Sequence, residues 1–318
     1  MDIMVILISL GVSFLFAIVL GPLFIPLLRR LKFGQQVRED GPQSHLKKSG
    51  TPTMGGIIIM LALMISFFRF ADYSDEFWVL LTASLGLGIV GFLDDYIKIV
   101  FKRSLGLTAK QKLFGQLVFA IIVCYLLYRM GHSTELLIPG TSIGFDMGWF
   151  YYPFVVVILF AASNSVNFTD GVDGLLAGTS AIAFSAYTII ALKLVSYDVA
   201  IFSAAMVGAV LGFLVYNAHP AKVFMGDMGS LGIGGGIAAV AILTKTEILL
   251  VLIGGIFVIE MLSVIIQVTS FKLRKKRVFK MSPIHHHFEL SGWSEWKVVT
   301  VFWTIGLLFA IIGLSFVL

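Results

Sequence analysis

The chain has 318 residues, 58% apolar and 13% charged, with a net charge of +5 and a mean hydropathy of +0.97. Soluble domains carry about a quarter charged residues, so this chain lacks the polar surface to face water on every side, and its solvent is expected to be a bilayer. The lone cysteine, Cys124, excludes an intrachain disulfide and a cysteine-rich zinc site, and the excess positive charge reads as a marker of the cytoplasmic side, not as a nucleic-acid surface.

Ten apolar runs follow one another, at about 3–28, 51–68, 77–97, 113–130, 147–163, 174–193, 199–217, 228–244, 248–271 and 298–318. A helix crosses the hydrocarbon core with about 20 apolar residues. The expectation is an all-α polytopic membrane protein, one domain over residues 1–318 with ten transmembrane helices. The first run is too long for a signal peptide, lacks a basic flank before it and ends in Arg29-Arg30, so it reads as a spanning helix with its N-terminus outside. Pro22 and Pro26 predict a kink near its inner end. Between the fourth and fifth runs, Pro139-Gly140 lies among short alternating stretches, the pattern of a small hairpin over 131–148.

Nineteen of the 23 Lys and Arg fall after the first, third, seventh and ninth runs. Only Arg69, Arg129, Lys193 and Lys245 fall at the opposite face. The positive-inside rule then places the first set of loops in the cytoplasm and both termini outside. Polar clusters that played no part in this sorting fall at the same ends: Asp94-Asp95, Asn164 to Asp173, Asn217 to Asp227, and His285 to His287. One shared site at the cytoplasmic face is expected.

The third run closes on Asp94-Asp95-Tyr96-Ile97-Lys98. Two adjacent carboxylates at a membrane surface repel each other, and a divalent cation or a basic partner relieves the cost. Magnesium suits one or two carboxylates plus phosphate oxygens. Lys98 lies on the same helical face as both acids, and the bland alternative is a solvated helix end with a local ion pair. Next comes Asn164-x-x-Asn167-x-x-Asp170-Gly171-x-Asp173-Gly174, amides and carboxylates at intervals of three, followed by glycines. It lacks the spacing of an EF-hand and reads as a polar turn suited to hydrogen bonding a sugar or nucleoside. Phe224-Met-Gly-Asp227-x-Gly-Ser precedes the eighth run, where a helix N-terminus between glycines favours anions. There Asp227 is a metal candidate or a simple N-cap, and Phe224 a stacking platform or an interfacial aromatic. Three consecutive histidines, His285, His286 and His287, cannot face one metal together, and with no Cys or second His cluster a zinc site is not supported; phosphate contact is the alternative. Lys48 stands beside the Gly/Thr-rich stretch Gly50 to Gly56, which is not a Walker loop. The basic stretch 271–297, with Trp293 and Trp296, is expected to lie near membrane lipid. Glu260, inside the ninth run, is an intramembrane acid with no assigned role.

Together these motifs, in this order and over essentially the whole chain, resemble the polyprenyl-phosphate N-acetylhexosamine-1-phosphate transferases. Ser282-Pro-Ile-His285-His-His-Phe-Glu and Gly50-Thr-Pro-Thr-Met-Gly-Gly are similar to the branch that handles phospho-N-acetylmuramoyl-pentapeptide. The resemblance implies transfer from UDP-MurNAc-pentapeptide to undecaprenyl phosphate in the bacterial inner membrane, with Mg2+ as cofactor and a homodimer as assembly. It further implies Asp94, Asp95 and Asp227 as metal ligands, with Asp94 the base or, alternatively, an Asp as covalent nucleophile. Lys48, Asn217, Asp173 and Phe224 are implied at the uridine end, and His285, His286, His287, Asn164, Asn167 and Asp170 along the rest. Lys98 and Lys112 are implied phosphate contacts, Lys110 being the alternative to Lys112. A sister transferase using UDP-GlcNAc, a secondary transporter and a membrane scaffold are the rival readings.

Overall fold

The computed structural model describes residues 2–31, 50–101, 105–141 and 143–318. Lys48 lies outside the described residues. The helices, in chain order, are α1 (Ile3–Arg30), α2 (Gly56–Phe70), α3 (Asp75–Val100), α4 (Ala109–Arg129), α5 (Tyr151–Thr169), α6 (Leu175–Lys193), α7 (Tyr197–Asn217), α8 (Gly226–Leu243), α9 (Glu247–Ile253), α10 (Gly255–Arg274), α11 (Ile284–Glu289) and α12 (Glu295–Ser315). Between α4 and α5 lies the expected hairpin, β1 (Glu135–Leu137) antiparallel to β2 (Gly144–Asp146), with Glu135 opposite Asp146.

All ten apolar runs form helix, and among the described residues nine helices have the length and composition to cross a membrane. In lipid a backbone must bond to itself, which is why apolarity alone locates these helices. Their edges depart from the expected ones for local reasons. The second run yields only 15 helical residues, because residues ahead of it are drawn into extended pairing. Phe224 N–H donates to the Pro52 carbonyl at 2.8 Å, and Gly55 N–H to the Phe224 carbonyl at 2.8 Å. The ninth run is interrupted at Gly254-Gly255, a pair of poor helix formers, and becomes α9 and α10. The fifth run continues as helix through Asn164 and Asn167 to Thr169, so the polar turn expected there is confined to residues 170–174. Helix α1 runs unbroken past Pro22 and Pro26.

Helix α8 is the hub. Its most apolar stretch is 83% buried, against 22% for α1 and for α4. It packs on α3 and α5, while α7 binds α1 and α6 together. Small residues let membrane helices approach backbone to backbone. Gly91 of α3 is such a point, since a Cβ there would overlap the Asp227 carbonyl group. The close approach of α3 and α8 is therefore set by sequence at the level where the acidic residues lie. Gly91→Val is expected to lower the melting temperature in detergent by wedging these helices apart, at a cost of about 1–3 kcal/mol. Gly11→Ala, on α1 with no atom within 4 Å of the added Cβ, is the control and should melt as the parent does.

Candidate active site

Two helix ends and two helix beginnings meet. The C-terminal parts of α3 and α5 supply Asp94, Asp95, Lys98 and Asn167, and the first turns of α4 and α8 supply Lys112 and Asp227. Asp94, Asp95 and Asp227 each offer a carboxylate oxygen, and these oxygens lie within 4.8 Å of one another. Asp94 and Asp95 are only 3% exposed. Three charges so placed require compensation. Lys98 Nζ provides part of it, at 2.5 Å from Asp94, 3.5 Å from Asp95 and 3.1 Å from Asp227. Lys112 Nζ adds a contact of 2.9 Å to the same Asp227 oxygen.

Each acid is also held by a neutral donor. Asp94 accepts from the Leu107 N–H at 2.8 Å, which ties the segment ahead of α4 to α3. Asp95 accepts from the Met228 N–H at 3.2 Å, so a side chain of α3 caps one of the free amides in the first turn of α8. Asp227 receives the Asn167 amide at 2.9 Å, and the same amide donates to Ser230 at 2.8 Å. Asp227 lies inside the first turn of α8, not ahead of it, because Gly226 at φ +77° begins the helix. There it faces the positive end of the helix dipole. The set is hard, anionic and oxygen-only, three carboxylates against two ammonium groups, which fits a divalent cation such as magnesium.

The remaining expected residues distribute around this centre. Asp170, in the turn after α5, has its carboxyl pushed up to about 7, first by burial and then by the charge of Asp227, while the Gly226 N–H works against both. Asn164 lies one turn before Asn167 and donates to Phe160 and to Gln116 of α4. Asp173 is buried and receives His219 Nδ1 at 3.0 Å and the Ala221 N–H at 3.1 Å. Asn217 joins two loops, accepting from Gly174 N–H and donating to the Val223 carbonyl, each at 3.0 Å. Phe224 is half-buried, its backbone paired with Pro52 and Gly55. The three histidines diverge as their spacing requires: His285 Nδ1 meets Glu260 at 3.0 Å, His286 Nδ1 meets Glu289 at 2.7 Å, and His287 Nδ1 accepts from the Lys280 N–H at 3.1 Å. Lys110 is exposed, and of these two lysines it is Lys112 that joins Lys98 at the centre.

Sequence reasoning gave no role to Ser230, His219 or Glu295. Ser230 was legible as the residue three after Asp227 and thus on its helical face. His219 Nδ1 lies 3.0 Å from Asp173 and 3.3 Å from Glu295, a pairing across three separate segments with no local signal. An apolar cavity of about 200 Å3 runs between α5 and α9/α10, lined by Ile158, Ala162, Val166, Leu250, Phe257 and Met261 among others.

Comparison with known proteins settles the family. Residues 77–245 match the glycosyl transferase family 4 model, and residues 48–60 match the first signature of phospho-N-acetylmuramoyl-pentapeptide-transferases. Relatives bearing that name are 62% identical in Halalkalibacterium halodurans and 58% identical in Bacillus subtilis, each over 98% of this chain and 97% of the relative. The chain belongs to the phospho-N-acetylmuramoyl-pentapeptide-transferase family. Within the family's matched signature, Gly55 makes the backbone pairing that anchors the Phe224 segment, and Thr53 lies against Gly226 at the start of α8.

A cation held by the three carboxylates stabilises the folded protein by mass action, about 2.7 kcal/mol at a hundredfold excess over its dissociation constant. Magnesium is expected to raise the melting temperature of the protein, and Asp227→Asn to abolish that rise. An equal rise in the variant would exclude Asp227 as a ligand.

Proposed function

We propose that this chain transfers phospho-MurNAc-pentapeptide from UDP-MurNAc-pentapeptide to undecaprenyl phosphate, giving lipid I and UMP, the first membrane step of peptidoglycan synthesis. The observation that carries the chemistry is the convergence of Asp94, Asp95 and Asp227 within 4.8 Å, beside Lys98 and Lys112. The family's printed name supplies the donor group. Both substrates are anions, and joining them demands positive charge and alignment at the reacting phosphorus. An oxygen of the lipid phosphate attacks the phosphorus that carries the sugar, and the bond to the UMP oxygen breaks. Lys98 and Lys112 offset the accumulating negative charge. Asp94 holds the acceptor's proton as the base. Asp94, Asp95 and Asp227 would hold a magnesium ion, which would supply Lewis-acid chemistry toward phosphate oxygens.

The wider arrangement supports the same reading. The cavity between α5 and α9/α10 is apolar and suits the prenyl chain of an acceptor dissolved in the bilayer. Asp173, Asn217 and Phe224, at the connections α5–α6 and α7–α8, are the uridine end. The distribution of Lys and Arg supports ten crossings with both termini outside and a site at the cytoplasmic face of the inner membrane, where the soluble donor arrives. A homodimer is the assembly that the family resemblance implies.

Purified protein with polyprenyl phosphate and UDP-MurNAc-pentapeptide is expected to release UMP only with magnesium, and not with UDP-GlcNAc as donor. Asp94→Ala, Asp95→Ala, Asp227→Ala and Lys112→Ala should each lower kcat by about 100-fold or more, whereas Lys110→Ala stays within about twofold of the parent. Near-parental turnover in any two of the aspartate variants contradicts the assigned centre.

A further inference from the structure

Glu260 lies on α10 with none of its surface exposed, and it spends both carboxylate oxygens on the histidine segment. Oε2 accepts the Ile284 N–H at 2.8 Å, and Oε1 meets His285 Nδ1 at 3.0 Å. Two helical turns further on, and so near the same face, Gln267 holds the other end of this segment. It accepts from the Val278 and Phe279 N–H groups, each at 2.9 Å, and donates to the Phe279 carbonyl at 2.9 Å. The strap from 278 to 285 is thus fastened to α10 at two points.

The fastening also orients a ring. A carboxylate has no hydrogen to give, so His285 donates from Nδ1, and the neutral imidazole must then present Nε2 as a bare acceptor. His285 is fully buried, and Nε2 has no hydrogen-bond partner. It points at the turn after α5: a Cβ at Gly171 would overlap Nε2. The glycine of the Asp170-Gly171 pair is what lets the imidazole lie against that turn. From the turn, Asp170 reaches the Gly226 N–H at the start of α8, next to Asp227.

We propose that Glu260 is a positioning residue of the active centre, which holds His285 in the Nδ1–H form so that the bare Nε2 edge of the ring packs against Gly171 and sets the Asp170-Gly171 turn beside Asp227. The intramembrane acid is then neither a free charge nor part of the cation site. Its influence passes from α10 through one imidazole to the turn whose far side borders the metal-binding carboxylates. Carboxylates that orient a histidine from behind usually change activity by about 10- to 100-fold when removed. The inference rests on the transferase reading above.

Glu260→Gln separates orientation from support. The amide carbonyl still accepts the Ile284 N–H, so the strap stays fastened. Its NH2 group, however, faces Nδ1 as a donor, which forces the proton to Nε2 and puts a hydrogen into the close contact between the ring edge and Gly171. The expected result is a kcat for UMP release about 10- to 100-fold below the parent, with a melting temperature and a donor KM close to the parent's. Glu260→Ala should show the kinetic loss and a lower melting temperature as well. Because the effect passes through the ring, adding Glu260→Gln to His285→Ala should cost no further activity. Parental kcat in Glu260→Gln, or a full additive loss in the double variant, overturns the proposal while leaving the transferase reading intact. A parent protein that releases no UMP from UDP-MurNAc-pentapeptide overturns both.

Discussion

Three carboxylates within 4.8 Å of one another, in a chain with few charges to spare, are the constraint on which the rest depends. At such separations two unit charges repel by on the order of 3–4 kcal/mol at an effective dielectric of about 20. Nothing local forces Asp227 next to Asp94 and Asp95, since they lie on different helices more than 130 residues apart. They are brought together by the backbone-close packing of α3 on α8, and Gly91 marks the level of contact. Apolar burial along the two helices outweighs the repulsion at their ends, and Lys98 and Lys112 compensate part of it. Two ammonium groups against three carboxylates leave a net demand for positive charge. The same unbalanced charge that makes the cluster costly suits it to hold a metal ion.

Legibility in the sequence followed the range of the interaction. Asp94, Asp95 and Lys98 were readable as a unit because helix periodicity alone places them on one face, and the structure joins them at 2.5 Å and 3.5 Å. The helices were readable because lipid leaves the backbone no partner but itself. Lys110 and Lys112 could not be separated from the sequence. The phase of α4 relative to α8 decides between them, and that phase is a property of packing. Asn164 and Asn167 were read as part of a turn because amides are weak helix formers. In the fold, α5 carries both, and their interval of three puts Asn167 over Asp227 while Asn164 faces Gln116. Glu260 had no partner within its own helix, so its meaning lay 25 residues away at His285.

The molecule separates rigid and adjustable parts of one site. The α3–α8 pair carries the acids and is defined by buried small residues. The histidine strap and the turn after α5 are short connections, held by a few hydrogen bonds, the strap to α10 and the turn to Asn217. A transferase that must admit a large soluble donor and a lipid acceptor needs fixed charge geometry but variable walls. Placing the three aspartates on the helices and the hydrogen-bonding groups on the connections satisfies both demands.

The two adjacent acids illustrate how far position differentiates identical chemistry. Asp94 is bound by Lys98 and by the Leu107 amide, so it links the lysine to the segment that begins α4. Asp95 is bound by the Met228 amide, so it is at once a carboxylate of the centre and the cap of α8. Neutralising Asp94 removes charge near a loop, whereas neutralising Asp95 also weakens the helix start on which Asp227 stands. Asp94 has the shorter contacts of the two, Lys98 at 2.5 Å and the Leu107 N–H at 2.8 Å, and its support is the connection ahead of α4. Asp95 has the fixed role of keeping α3 and α8 in register, which a cation site requires. The paired aspartates are one motif in the sequence and two different devices in the fold.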